Sequence, residues 1–109
     1  WRLAREGGAI DPSPLFDPDA LIQMEKPTLA YAFHATLARA FAKEARTLVE
    51  AGAAAAVVLS GGCFQNALLL DLTLRELDGL PVLHHRAIPP NDGGLALGQA
   101  TVAMARSLR

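Results

Sequence analysis

A glycine turn in the middle of the chain contains the first residues suited to chemistry. It reads Ser60-Gly61-Gly62 and continues into Cys63-Phe64-Gln65-Asn66. Glycines between a strand and a helix let the backbone approach a ligand, and a helix start offers unpaired amides that suit phosphate or ribose oxygens. The turn lacks the G-K-[ST] ending of a P-loop and the G-x-G-x-x-G of a dinucleotide turn. A strand-to-helix corner without any ligand explains the same glycines equally well.

A second candidate lies in the loop Pro89-Pro90-Asn91-Asp92-Gly93-Gly94. A carboxylate held in a rigid, glycine-flanked loop at the start of a helix can bind a metal ion or a ligand hydroxyl. Asp92 can also serve only as the N-terminal cap of the following helix, and its spacing alone favours that structural role.

The cysteine and the histidines are weaker candidates. Cys63 near a helix start could be an activated thiolate, but a lone cysteine after a glycine turn is more often a small packed residue. His84 and His85 are neighbours on a predicted strand, so they point to opposite faces and cannot chelate one ion together. His34, beside Phe33 on a predicted helix, indicates packing or hydrogen bonding. No second carboxylate, serine triad or cysteine cluster completes a catalytic set in the sequence.

Helices and short strands must position both candidate loops. Apolar spacing predicts helices over 29–51, 64–78 and 95–108. Pro27-Thr28 is expected to open the first helix, and Gly52 and Gly79 are expected to terminate the first two. Short apolar runs predict strands over 55–59 and 81–85, the first of them buried on both faces. A short helix is expected at Asp17-Pro18, which suit a cap and a first helical position. The long helix is expected to bury one face, formed by Phe33, Leu37, Phe41, Ala45 and Leu48.

The order of these elements indicates a single α/β unit over 1–109. Residues 1–27 are expected to form an irregular lead-in, and residues 28–109 follow the order helix, strand, helix, strand, helix. Strands joined through a crossover helix are expected to pair in parallel, and ligands bind at the carboxyl ends of such strands. Both candidate loops lie at those ends. Two strands make a poor free-standing sheet, so further strands are expected from another part of a longer polypeptide.

Composition limits the classes of function. With 109 residues, 51% hydrophobic content and a formal net charge of -1, we expect one modest core and no basic face for nucleic acid. The longest apolar stretch, 51–59, is about half of the ~20 residues that cross a bilayer, so no membrane span is expected. A single cysteine fits a reducing, cytoplasmic compartment. Because the chain starts at Trp1 without a signal peptide, we expect it to be a piece of something longer.

Three runs of the sequence follow one another along the chain: Phe33-His34, residues 57–66 and residues 88–100. Together they resemble the carboxyl-terminal end of the HypF-type carbamoyltransferases, which mature NiFe hydrogenases. The run Asp11-Pro12-Ser13-Pro14-Leu15 also resembles the family's approach to its long helix. The resemblance therefore extends over nearly the whole chain.

The resemblance implies a fold and a reaction. The fold would be part of an actin-like or sugar-kinase-like ATPase, in its ribonuclease-H-like lobe, related to the tRNA threonylcarbamoyl-transfer proteins. The family uses carbamoyl phosphate and ATP to form a carbamoyl adenylate, and it then carbamoylates the C-terminal cysteine of the partner protein HypE. Dehydration of that group yields the cyanide ligand of the hydrogenase iron.

The resemblance also implies roles for individual residues. Gly61, Gly62 and Asn66 match the turn that contacts the adenylate, so they are expected to bind nucleotide. Asp92 matches an acidic ligand of a divalent metal ion. The nucleophile belongs to the partner protein, so no residue of this chain is assigned a catalytic role, and Cys63 stands where the family commonly has valine. The other metal ligands and the adenylate-forming parts lie outside the chain, so an isolated fragment is expected to be inactive.

Two other functions stay open at the level of sequence. One is a small-molecule O-carbamoyltransferase of the same wider family. The other is a non-catalytic interaction module that docks a partner through its apolar helices. Exposed sheet edges and apolar surface also lead us to expect self-association of the fragment.

Overall fold

A computed structural model describes residues 1, 3, 5–6 and 8–108, and its core lies where two helices cover one face of a short parallel sheet. The predicted α/β class, with short parallel strands and packed helices, is confirmed. In chain order the elements are β1 (Arg5–Glu6), β2 (Ala9–Ile10), α1 (Pro18–Gln23), α2 (Lys26–Glu50), β3 (Val57–Leu59), α3 (Ala67–Glu76), β4 (Val82–His84) and α4 (Leu95–Ser107).

The segment before the long helix contains several short elements. β1 and β2 form an antiparallel hairpin, and a 3₁₀ turn over Ser13–Phe16 buries Leu15. α1 begins as predicted, because the Asp17 carboxylate accepts a hydrogen bond from the Asp19 amide at 3.1 Å and Pro18 lies in the first turn.

Asp11 stabilises the turn before α1 through Ser13. The hydroxyl and the amide of Ser13 both donate to Asp11 Oδ1, at 2.6 and 2.9 Å. These hydrogen bonds, the hydroxyl's first, lower the pKa of the Asp11 carboxyl. Because a lowered pKa favours the ionised group in the folded state, the stabilisation is present above the unfolded pKa. It is lost as the pH falls through the folded pKa.

The long helix α2 begins at Lys26, one residue before the predicted opening at Pro27-Thr28, and Pro27 lies in its first turn, where proline is tolerated. It ends at Glu50 and is followed by Gly52, whose φ of +73° turns the chain out of the helix as predicted.

The buried stripe of α2 differs from the predicted one. Ala38 and Ala42 are buried, and Ala45 packs against the core. Phe41 and Leu48, which were expected inside, are 60% and 53% exposed, so that part of the prediction is wrong. Alanines let α2 approach α3, its main packing partner, closely, and the larger side chains lie beside that contact.

The two strands β3 and β4 pair in parallel, as the crossover through α3 predicts. Val57 lies opposite Val82, and Leu59 lies opposite His84. The Val57 amide also donates to the Pro81 backbone oxygen at 2.8 Å, so the pairing starts one residue before β4. The register places the carboxyl ends of the strands side by side.

Only one face of the β3–β4 sheet is covered by the described residues. Leu59 is buried in a core that it forms with Ala42 and Leu77. Val58 and its cross-strand partner Leu83 are 66% and 63% exposed on the opposite face. The prediction that β3 is buried on both faces is therefore wrong for this structure, because nothing in the described chain covers Val58.

The second predicted helix, 64–78, is divided in the structure. Gly62–Gln65 forms a 3₁₀ turn, and α3 begins after Asn66. The Asn66 side chain explains the division, because its Oδ1 accepts from the Leu69 amide in the manner of an N-terminal cap. Gly79, with a φ of +83°, follows the end of the helix as predicted.

Arg46 links α2 to the end of α3. Its Nη2 donates to the backbone oxygens of Glu76 and Asp78, both at 3.0 Å, and so satisfies carbonyls that a helix end leaves unpaired. We expect Arg46→Met to lower the free energy of unfolding by about 1–2 kcal/mol, measured by urea denaturation. Arg75→Met is the control, because it removes only an exposed ion pair with Asp71 and should cost less than about 0.5 kcal/mol. Equal losses for both variants would refute the capping role.

The last helix, α4, lies away from the core. Its residues are exposed along its whole length, including Leu97, Val102 and Met104. The radius of gyration is 17.3 Å, whereas a compact chain of this length has about 13 Å. Among the described residues, no helix is long and apolar enough to cross a bilayer.

Candidate functional site

The carboxyl ends of β3 and β4 carry the two loops that the sequence singled out. The turn after β3 begins at Ser60, and the loop after β4 begins at His85. Ser60 Oγ lies 2.8 Å from His85 Nε2, within hydrogen-bond distance. Parallel strands place such loops at one edge of a sheet, where α/β folds bind ligands. The structure therefore joins the two candidate loops at their first residues.

The fold requires glycine at one of the two glycine positions of the turn but not at the other. Gly61 has a φ of +103°, a conformation that L side chains rarely adopt. Gly62 is not among the glycines with positive φ, and it begins the 3₁₀ turn. A Cβ atom at either position would meet no atom within 4 Å. The backbone conformation thus requires glycine at Gly61, whereas nothing in the described fold requires it at Gly62.

Asn66 has a structural role at the end of this turn. Its Oδ1 accepts from the Leu69 amide at 3.1 Å, and its Nδ2 lies 2.7 Å from Nε2 of His34 on α2. The residue as a whole is exposed. The side chain therefore caps α3 and ties it to α2, and it leaves part of its amide facing solvent.

Asp92 does not cap the last helix, so the structural role that its spacing favours is wrong. Asn91 instead caps the short 3₁₀ turn Asp92–Gly94 that precedes α4, where its Oδ1 accepts from the Gly93 amide at 2.9 Å, and α4 itself begins without a side-chain cap. The Asp92 backbone oxygen accepts from Leu95, while no described residue donates a hydrogen bond to the Asp92 carboxylate. The carboxylate is exposed. It is thus free to bind a cation or a ligand hydroxyl.

An open groove of about 910 Å³ lies between the second loop and one side of α4. Ser60, His85, Asp92 and Arg106 line it. The groove brings Asp92 together with the first residue of the glycine turn, but Gly61, Gly62 and Asn66 do not line it. No group of three or more His, Cys, Asp or Glu side chains within the described residues is arranged to hold a metal ion. This part of the chain therefore offers a metal ion one carboxylate.

Sequence reasoning missed two side chains of this region and one long-range contact. His85 was considered as a metal ligand and rejected, whereas the structure pairs it with Ser60. Arg106 lines the groove from the last turn of α4, and no local motif marks it. His34 was expected to pack or to form a hydrogen bond, which is confirmed, but its partner Asn66 is 32 residues away and has no sequence signal.

Cys63 lies on a different surface from Asp92. It is exposed and lines an apolar groove of about 480 Å³ between α2 and β3, beside Phe41 and Phe64. Neither a histidine nor an arginine lines this groove. The lining of this groove therefore places no cationic side chain beside the thiol.

Gly93 and Gly94 of the second loop leave little room for a side chain, and the contacts at Gly94 lead to a prediction. A Cβ at Gly94 would lie 3.0 Å from Ile88 Cγ2 and 3.1 Å from the Pro89 backbone oxygen. We expect Gly94→Ala to open the loop and speed tryptic cleavage after the exposed Arg86 about tenfold, because an overpacked methyl costs about 1–3 kcal/mol. Gly98→Ala is the control, since a methyl there meets no atom within 4 Å and alanine favours the helix. Equal cleavage of both variants would contradict this account of the loop.

Comparison with known proteins gives a consistent family. The sequence profile described as "Carbamoyltransferase, Kae1-like Domain, second subdomain" matches residues 1–99. The chain is 56% identical over 101 residues to carbamoyltransferase HypF of Rhodobacter capsulatus, which covers 92% of the chain. It is 38% identical over 109 residues to carbamoyltransferase HypF2 of Cupriavidus necator, which covers 98% of the chain.

The chain spans 13% of the length of each of these two relatives. A further relative, a carbamoyltransferase HypF homolog of Cupriavidus necator, is 41% identical over 73 residues, which is 65% of the chain. No solved structure matches the chain.

Proposed function

The chain belongs to the HypF family of carbamoyltransferases, and we propose that it is the carboxyl-terminal part of an enzyme that carbamoylates the C-terminal cysteine of a HypE-type partner protein. The enzyme uses carbamoyl phosphate and ATP by way of a carbamoyl adenylate, and the product supplies the cyanide ligand of NiFe hydrogenase. The fold is part of an actin-like ATPase lobe. Family membership and the open loops at the strand ends support this proposal.

The transfer step defines what the chain must do. The partner's thiolate sulfur attacks the carbamoyl carbon, a carbon–sulfur bond forms, and the bond from that carbon to the AMP oxygen breaks. AMP leaves with the electron pair, and the proton of the partner's thiol has already passed to solvent when the thiolate forms. Because negative charge grows on the leaving phosphate, donors and a cation beside it accelerate the reaction. The amides of Gly61 and Gly62 and the side chain of Asn66 would hold the adenylate, and the Asp92 carboxylate would bind a cation that offsets this charge.

One observation carries the proposal more than the others. Gly62 and Asp92 are the two site residues for which the described fold has no structural use. Gly62 has neither a positive φ nor a close neighbour, and the Asp92 carboxylate makes no hydrogen bond within the described chain. A ligand that approaches the backbone would explain the glycine at position 62, and a bound cation would explain the aspartate at position 92. Gly61 and Asn66, by contrast, are also explained by strand-to-helix geometry.

The residues present fit part of a divalent metal site. An exposed carboxylate without an internal partner is a suitable hard ligand, and Asp92 provides one. A bound divalent cation would offset the charge of the leaving phosphate. With one carboxylate in the described loop, the remaining ligands come from outside this chain. The exposed Val58–Leu83 face of the sheet is likewise available to other parts of the enzyme.

The proposal is tested on the full-length protein with carbamoyl phosphate, ATP and a HypE-type partner. Mass spectrometry of the partner's C-terminal peptide should show the addition of one carbamoyl group. A partner with serine in place of that cysteine should gain nothing. An enzyme that carbamoylates a small-molecule hydroxyl instead, or that forms no adenylate, would refute the proposed reaction.

A further inference from the structure

His34 is connected to the candidate nucleotide site by a hydrogen bond between two helices. Its Nε2 lies 2.7 Å from Asn66 Nδ2, and its Nδ1 lies 2.7 Å from the backbone oxygen of Ala30. The residue is half-buried, and the Phe33 ring packs edge-on with ring centroids 6.0 Å apart. Both ring nitrogens therefore have a partner in a defined position.

These partners assign the proton on the ring. The Ala30 backbone oxygen only accepts, so Nδ1 carries the hydrogen. The Asn66 Oδ1 atom is engaged by the Leu69 amide, so the nitrogen Nδ2 faces the ring. Because an amide nitrogen only donates, Nε2 must accept, and His34 is the neutral Nδ1–H tautomer.

We propose that His34 is a positioning residue that fixes the side-chain amide of Asn66 for contact with the adenylate. The proposal rests on the proposed function, since it is the nucleotide that Asn66 would contact. The cap uses one lone pair of Oδ1, and His34 uses one hydrogen of Nδ2. The exposed Asn66 thus presents its second hydrogen and second lone pair to a ligand in one orientation. Without His34 only the hydrogen bond from the Leu69 amide holds the Asn66 side chain, and the orientation of the Asn66 amide is less defined.

Two substitutions of His34 separate the hydrogen bond from the volume of the ring. His34→Leu keeps an apolar side chain and removes the acceptor, whereas His34→Gln places a carbonyl oxygen near the position of Nε2. In the full-length enzyme we expect His34→Leu to lower the rate of carbamoyl transfer about tenfold, the effect of one lost hydrogen bond. His34→Gln should restore the rate to within about twofold of the wild type. Pyrophosphate release, which reports adenylate formation outside this chain, should be unchanged in both.

A double-mutant comparison tests whether His34 acts through Asn66. In an Asn66→Ala background, His34→Leu should cause no further loss of transfer, because the group that it positions is gone. Additive losses would overturn the proposal, as would a wild-type rate in His34→Leu. If His34→Leu fails to fold, His34→Gln decides, and a tenfold loss in the folded Gln variant counts against the proposal.

Failure of the proposed function gives a different experimental result from failure of the role of His34 alone. A wild-type enzyme that releases pyrophosphate but transfers nothing to the partner would overturn the proposed function and the role of His34 together. A wild-type enzyme with normal transfer, whose rate is indifferent to residue 34, would overturn only the role of His34.

Discussion

Asp92→Ala is expected to reduce carbamoyl transfer by the full-length enzyme about a hundredfold or more, because we propose that this carboxylate holds a cation beside the leaving phosphate. The same variant should unfold at the wild-type temperature. The Asp92 carboxylate is exposed and makes no hydrogen bond to the described residues, so the fold loses nothing when it is removed. Transfer to the partner's cysteine and thermal unfolding are the two measurements.

Asp78→Ala is the matched control for this prediction. Its side chain is also exposed, and its hydrogen bonds within the described residues are made by the backbone, which accepts from Arg46 and donates to the Arg75 oxygen. We expect it to leave transfer and stability unchanged. Asp92→Asn should behave like Asp92→Ala, because it keeps the shape of the side chain and loses the charge. Normal transfer in both Asp92 variants would show that this carboxylate has no role in the reaction.

Gly62→Ala is expected to lower carbamoyl transfer at least about tenfold without a loss of stability. The added methyl has open space around it in the described chain, and the backbone of Gly62 does not have a positive φ. In the proposed site, however, the methyl would project where the adenylate approaches the Gly62 amide, and the reaction rate falls steeply when a ligand is misplaced. The rate of carbamoyl transfer should therefore fall in Gly62→Ala while its unfolding temperature stays at the wild-type value.

Gly52→Ala should show the reverse behaviour and serves as the control for Gly62→Ala. Gly52 also has open space around it, but its φ is +73°, so an alanine there is strained by about 1–2 kcal/mol. The position lies between α2 and the amino end of β3, whereas both candidate loops follow the carboxyl ends of strands. We expect a lower unfolding temperature with normal transfer. If Gly62→Ala instead lost stability in proportion to activity, the turn would be a structural corner.

Much of the fold follows from the sequence because the signals for its elements are local. Asp17-Pro18 starts a short helix, Gly52 and Gly79 follow helix ends, and the crossover through α3 makes the strands parallel. The buried face of α2 was not predicted correctly. Apolar spacing selects large residues such as Phe41, whereas the close approach of α3 selects alanines, and that approach is a tertiary property.

The limits of prediction at the site have a similar cause. Asp92 and Asn91 are neighbours with similar capping ability, and only the loop geometry shows that Asn91 caps the 3₁₀ turn Asp92–Gly94 and that neither residue caps α4. The contact between His34 and Asn66 joins residues 32 positions apart, so spacing within one helix cannot indicate it. Family resemblance assigned Gly61, Gly62 and Asn66 together. The structure then distinguishes Gly62 from the other two. The fold needs Gly61 for its positive φ and Asn66 as the cap of α3, whereas it has no structural need for glycine at Gly62.

The most direct test of the nucleotide site is amide hydrogen exchange in the full-length protein with and without saturating AMP and a divalent cation. In the proposed reaction AMP is the product of the transfer step, so its binding would report the proposed site without turnover. Slower exchange is expected in peptides covering residues 60–66 and 88–95, while peptides from the second half of α2 should be unaffected. Protection confined to segments outside this chain would contradict the assignment of the adenylate and the cation to these loops.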